Sequence, residues 1–209
     1  MKNKTESKKI NDLRSALEVI QALPRQYHET AVEIDPKDDL AGVYRYIGAG
    51  GTVVRPTQVG PALMFTNIKG YPGTRVLVGL IASRERVAAM LGAPVRELGK
   101  HMAQAVKNTV DPVFADQSKA LCQEVVYKAT DKGFDLRKIL PAPTNTPQDA
   151  GPYFCEGLVL GSDPENGHTD VTIHRLCVQG KDEISIFSPW GVTLICSGRK
   201  PKKPGSPFR

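Results

Sequence analysis

The sequence predicts an α+β protein whose two halves follow different patterns. Helix-period and strand-period signals alternate through the first 110 residues, and strand-like runs then follow one another between residues 153 and 187. With 40% of its 209 residues apolar, the chain has enough material for packed cores.

Asp12 is placed to cap a helix in which Leu13, Ala16, Leu17 and Ile20 share a face, and Pro24 closes it near Leu23. Residues 30–34 read as a strand. Asp38 and Asp39 then suit a helix start, with Leu40, Val43, Tyr44 and Ile47 spaced as a buried stripe before Gly48, Gly50 and Gly51. Residues 61–65 and 75–81 are the best strand candidates, divided by a turn at 69–73. The second run is apolar almost throughout, so both of its faces are expected to be covered. Ser83 caps a short helix expected to turn Val87, Met90 and Leu91 inward, and a longer helical pattern covers 97–106.

From about Lys119 the patterning changes. Residues 124–127 lead into 134–140, and Pro141, Pro143 and Pro147 then punctuate an irregular stretch ending at Gly151-Pro152. Residues 153–160, 170–178 and 183–187 follow as an antiparallel meander or the opening of a small barrel. The expected organisation is a disordered tail at 1–10, an N-terminal α/β domain at 11–118, an incomplete second domain at 119–190, and a basic tail at 191–209.

Charge narrows the function classes. The formal net charge is +6, but residues 191–209 contribute +5 and residues 1–9 contribute +3, which leaves −2 for everything between. The basic character lies in the two ends and lacks interleaved aromatic residues, so nucleic acid is not an expected partner. No window reaches the roughly 20 apolar residues of a membrane span, and the N-terminus lacks a hydrophobic run behind its lysines, so a cytoplasmic protein without membrane partners is expected. Cys122, Cys155, Cys177 and Cys196 are irregularly spaced with no metal-site pattern and read as buried free thiols.

None of these features names a chemistry, but an ordered set of segments does. Residues 134–141, Pro143-Thr144, Gln148-Asp-Ala-Gly-Pro-Tyr153, Gly157-Leu-Val159, Ser162-Asp-Pro-Glu165 and the run from Asp170 through Arg175 to Asp182 resemble the start of the cofactor domain of UbiD-like decarboxylases. The segments from Asp12 and from Pro61 to Tyr71 are similar to that family's N-terminal domain, so the likeness runs from residue 12 to about 187. Thr169-Asp-Val-Thr-Ile-His-Arg-Leu176 most resembles members that act on hydroxylated aromatic acids of the gallate type.

The resemblance implies a split β-barrel of the flavin-reductase kind, of which this chain carries only the opening strands. It implies prenylated FMN as cofactor, a divalent metal, usually manganese, at its phosphate, and a potassium ion nearby. It implies a small aromatic carboxylic acid as substrate for the full-length enzymes. Arg175 falls on the family's catalytic arginine. Asp170 falls where many members place an asparagine metal ligand, and a carboxylate oxygen suits the same hard cation. The backbone of Thr172, Ile173 and His174 matches the stretch that runs along the flavin. The His174 side chain, adjacent to Arg175, should point to the opposite face and reads as a packing or surface group. Without the flanking match, Arg175 is an ordinary strand cation and Asp170 a strand-edge or turn aspartate.

The family's downstream histidine and glutamates have no counterpart here, so the fragment is expected to be inactive alone. The acid-free tail at 191–209 can be written in codons whose reading from the third base of the first gives Arg-His-Ile-Asp-Met-Phe and then a charge-balanced helix. A shifted reading frame near the codons for 187–191 is therefore expected. Two further expectations follow: an accessory chain that pairs with its own kind or with a full-length homologue, or an active subunit completed by a separately encoded chain.

Overall fold

The computed structural model of the chain describes residues 10–49, 59–162 and 166–186. They form two three-stranded sheets joined by a long strap. Calls on the two tails, on Gly50-Gly51, on residues 163–165 and on Cys196 lie outside the described residues.

The first helix, α1 (Leu13–Gln21), starts as the sequence predicts: the Asp12 carboxylate accepts Ser15 N–H at 2.7 Å, while Ser15 Oγ accepts Asp12 N–H at 3.1 Å. Ala16 and Ile20 are its buried residues, and Leu13 stays exposed. The chain then enters β1 (Tyr27–Thr30), three residues earlier than expected. Residues 31–34 have the better strand composition, but pairing decides the matter. Tyr27–Thr30 lie parallel to β2 (Ala62–Phe65) in register, Tyr27 with Ala62 and Thr30 with Phe65. After α2 (Asp39–Tyr44) and a π-helical turn at Arg45–Ala49, β2 leads to β3 (Val76–Val78), antiparallel to it. Asp38 holds the position before α2 without a side-chain capping bond.

Every residue of β2 is buried, as a central strand requires. Leu63 and Phe65 join Leu40 and Ile68 as the core, with Tyr44 and Val78 packed against it. The expectation that both faces of 75–81 are covered is corrected: β3 is a three-residue edge strand whose side chains are only half-buried. It ends at Gly79, whose φ of +78° and close approach to the Tyr44 ring leave no room for a side chain.

Helix α3 (Arg84–Leu91) corrects a second expectation. Ser83 caps it, but the residues it buries are Arg86 and Ala88, while Leu91 is exposed. Arg86 is fully buried and, among the described residues, has no acidic partner in its hydrogen bonds, donating instead to the Leu80, Gly60 and Gly79 carbonyls and to Gln26 Oε1 at 2.8–3.1 Å. Burial pulls its pKa down from the ordinary value, yet a guanidinium keeps its charge, so this cation clamps three chain segments through neutral acceptors. Helix α4 (Leu98–Lys107) follows, close to its predicted span.

The strap turns through α5 (Leu136–Ile139), capped by Asp135, whose carboxylate also takes two 2.8 Å bonds from the Arg137 guanidinium. Tyr71 O–H donates to the Arg137 carbonyl, and Thr144 exchanges backbone bonds with Pro36 and Asp38, which fastens the strap to the first half. Leu136 N–H donates to the Lys181 carbonyl and Tyr153 N–H to that of Pro143, which fastens it to the second. There β4 (Tyr153–Ser162), β5 (Thr169–Val178) and β6 (Ile184–Ile186) form the expected antiparallel meander. No closed barrel exists among the described residues, because β4 and β6 remain sheet edges. Of the three described cysteines only Cys177 is buried, so the expectation of buried thiols fails for Cys122 and Cys155. No helix among the described residues is long and apolar enough to cross a membrane.

Replacing Arg86 by methionine should lower unfolding stability by about 3 kcal/mol, since it strands three part-buried carbonyls, with no rescue by lysine. Urea midpoints of the three proteins check this. The Asp135 carboxyl, held down to about 2 chiefly by its Arg137 hydrogen bonds, binds its proton less readily when folded than when unfolded. Its contribution is therefore complete above about pH 4 and is lost as pH falls toward 2. Thermal midpoints measured across that window should fall less steeply for Asp135→Asn than for the parent.

Candidate functional site

The β4–β5 hairpin carries every site residue expected from the sequence. Its ladder pairs Ser162 with Thr169, Leu160 with Val171, Leu158 with Ile173 and Gly157 with His174, and then slips at a bulge between Phe154 and Gly157. Gly157 makes the passage past the bulge possible. A Cβ there would lie 2.6 Å from Leu176 Cδ1 and 3.0 Å from the His174 carbonyl oxygen. Because side chains alternate along a strand, Asp170, Thr172 and His174 share one face, and Val171, Ile173 and Arg175 share the other.

On the second face the Arg175 guanidinium lies over the Tyr153 ring, 4.7 Å from its centroid, and its Nη1 is 3.8 Å from Asp149 Oδ1. The Arg175 side chain is 62% exposed, so one side is held while the rest is open to solvent. Tyr153 is buried beneath it, and a hydrogen bond with the Cys177 thiol, followed by burial, raises the phenol pKa above its ordinary value. Beyond Arg175 the Leu158–Ile173 and Leu160–Val171 pairs form an aliphatic surface, each residue 56–72% exposed. Such a surface is unusual on a finished sheet and marks a place where another layer or a ligand belongs.

The opposite face is polar and more enclosed. Thr172 Oγ1 and His174 Nε2 are both buried with no hydrogen-bond partner among the described residues, two residues apart on one strand. Buried polar atoms are rarely left unmatched in a protein, so these two fit a polar ligand along this face. Asp170 is exposed, and its Oδ1 accepts the Val171 N–H at 2.9 Å. It offers one carboxylate to a cation, but among the described residues no three His, Cys, Asp or Glu side chains come together as a metal-holding group. Among the described residues this face therefore offers two unmatched polar atoms and one carboxylate to a ligand, not a closed metal site.

The structure thus brings Asp170, Thr172 and His174 together and separates them from Ile173 and Arg175. The expectation that His174 and Arg175 diverge is met, but the His174 ring nitrogen is enclosed rather than solvated. Sequence reasoning assigned no role to Asp149 and Tyr153. They stood in the Gln148-Asp-Ala-Gly-Pro-Tyr153 segment that carried the family likeness, and only the ladder pairing Tyr153 with Cys177 brings them to Arg175.

Comparison with known proteins gives this arrangement a family. The model of the 3-octaprenyl-4-hydroxybenzoate carboxy-lyase N-terminal domain matches residues 24–106, and that of the carboxy-lyase Rift-related domain matches residues 113–192, together more than half of the chain. Gallate decarboxylase of Lactiplantibacillus plantarum is 55% identical over 176 residues, which is 84% of this chain and 36% of the relative. The apo 3,4-dihydroxybenzoic acid decarboxylase of Enterobacter cloacae superposes with a TM-score of 0.85 at 59% identity, over 90% of this chain and 39% of that one. The UbiD-class enzyme HmfF of Pelotomaculum thermopropionicum, solved with prFMN, superposes at 0.73 and 29% identity, over 84% and 38% of the two chains. The chain therefore spans little more than a third of the length of these relatives. With the family's two domain models matched in succession, and with a backbone that superposes on its solved members, this chain belongs to the UbiD family of prenylated-FMN-dependent decarboxylases.

Proposed function

We propose that this chain supplies the N-terminal domain, residues 11–118, and the opening strands of the split-barrel cofactor domain, residues 119–190, of a cytoplasmic enzyme that removes the carboxyl group of a hydroxylated aromatic acid without net oxidation. The observation that carries the reading is the exposed Arg175 guanidinium, held at the end of an aliphatic surface on the strand whose other face presents two unmatched polar atoms. High identity to decarboxylases of gallate and of 3,4-dihydroxybenzoic acid supports the substrate class. Described thiols outside disulfides agree with a reducing compartment.

In this reading Arg175 is the catalytic cation and orients the substrate carboxylate through paired N–H donors. The backbone of Thr172, Ile173 and His174 would run along the flavin. Asp170 would offer one oxygen to manganese, and a potassium ion would belong to the same region. Prenylated FMN, when bound, supplies the electron sink for carbon dioxide loss. The ring carbon must then be protonated, and Asp149 is already engaged, its Oδ2 by two backbone N–H groups and its Oδ1 by the Arg175 guanidinium. The acid and the remaining metal donors therefore come from beyond the described residues or from another chain. The uncovered aliphatic pairs favour a second reading, in which the chain docks on its own kind or on a full-length homologue as an accessory subunit.

A chimera tests the first reading. Residues 12–186 placed in the Enterobacter cloacae enzyme should sustain carbon dioxide release from 3,4-dihydroxybenzoate, and Arg175→Ala in that chimera should reduce turnover by about 100-fold or more. Undiminished turnover in the variant would remove Arg175 from the chemistry. The 209-residue chain alone, loaded with prenylated FMN and manganese, should release none. A second prediction concerns the enclosed face: Thr172→Val replaces an unmatched buried hydroxyl by a methyl group, so it should stabilise the ligand-free chain by about 1 kcal/mol in urea unfolding.

A further inference from the structure

Two side chains fix the Arg175 guanidinium, and neither has a part in the reading above. Asp149 is itself anchored: its Oδ2 accepts the Asn145 and Thr146 N–H groups, each at 3.2 Å, which leaves Oδ1 directed at Arg175 Nη1. Tyr153 is anchored too, through its backbone N–H to the Pro143 carbonyl at 2.9 Å and its burial beside Cys177. Both sit within residues 149–153, where the strap runs into β4, so the conformation there sets the carboxylate and the ring relative to each other.

The distances decide what this arrangement does. At 3.8 Å the Asp149–Arg175 contact is an ion pair but too long for a hydrogen bond, and the guanidinium carbon lies over the Tyr153 ring, 4.7 Å from its centroid. Charge balance is therefore provided without using the guanidinium donors in a hydrogen bond to Asp149. An arginine bound edge-on by a carboxylate at 2.8 Å, as Arg137 is by Asp135, has lost those donors to its partner.

We infer that Asp149 and Tyr153 are positioning residues that hold the Arg175 guanidinium flat against the sheet with its donors turned out to receive the carboxylate of an aromatic acid. This rests on Arg175 being the carboxylate-facing cation proposed above. Without the two contacts the long side chain, already 62% exposed, samples many rotamers, and binding must select one of them.

The test uses the 209-residue chain labelled at arginine, with Arg175 Nε relaxation as a measure of side-chain order and 3,4-dihydroxybenzoate as the titrated probe. Asp149→Asn and Tyr153→Leu should each mobilise Nε and weaken probe binding about two- to fivefold. Tyr153→Phe keeps the ring and should preserve both readouts, which a role for the phenol itself would not allow. Where Tyr153→Leu does not fold, as its β5 amide spectrum reveals, Asp149→Asn and Tyr153→Phe carry the test. Unchanged order and affinity in Asp149→Asn and Tyr153→Leu, with binding still lost in Arg175→Ala, overturn the positioning role alone. Unchanged affinity in Arg175→Ala overturns the carboxylate-facing role of Arg175 and this inference with it.

Discussion

The backbone ladder between β4 and β5 is the constraint on which the site depends. Its register, from Ser162 opposite Thr169 to Tyr153 opposite Cys177, determines which residues share a face. A slip of one residue would exchange the enclosed polar face for the exposed aliphatic one. The bulge between Phe154 and Gly157 absorbs the one local irregularity, and beyond it Tyr153 returns to the face of Arg175, where its ring is useful. The two faces then serve unlike purposes: one encloses the hydroxyl of Thr172 and the imidazole of His174, and the other leaves Arg175 and four aliphatic side chains uncovered.

That hairpin does not stand alone, because the strap ties it to the first half of the chain by directional polar contacts rather than by a shared apolar core. Tyr71 with Arg137 and Thr144 with Pro36 and Asp38 form one attachment, and Leu136 with Lys181 forms the other. The apolar cluster around Leu40, Leu63, Phe65 and Ile68 belongs to the first sheet. The same strap carries Asp149, so the element that joins the halves also bears on the orientation of Arg175.

Arg86 and Arg175 illustrate how one residue type acquires opposite tasks. Arg86 is enclosed, and carbonyls use its donors, which makes it a structural clamp. Arg175 is open, balanced by an anion beyond hydrogen-bond reach and by an aromatic face, which leaves its donors available. Composition and spacing could not separate the two. Helical periodicity turned Val87, Met90 and Leu91 inward on α3 and missed the buried cation, because the acceptors that make its burial tolerable come from Gln26 and Gly60, far away in the chain.

Much of the fold was legible locally. The Asp12 and Ser83 caps, the helix near residues 98–107 and the three-stranded meander depend on neighbours in sequence, and they are where the pattern placed them. The family was legible as well, because an ordered series of short segments survives in the chain whatever surrounds it. Tertiary structure alone decided that β1 begins at Tyr27, that β3 is a half-exposed edge, and that Asp149 and Tyr153 meet Arg175. Each of these depends on which backbone groups find partners across long stretches of chain. A strand's boundaries are set by its neighbour's hydrogen bonds, and a cation's surroundings are set by whichever segments the sheet register brings beside it.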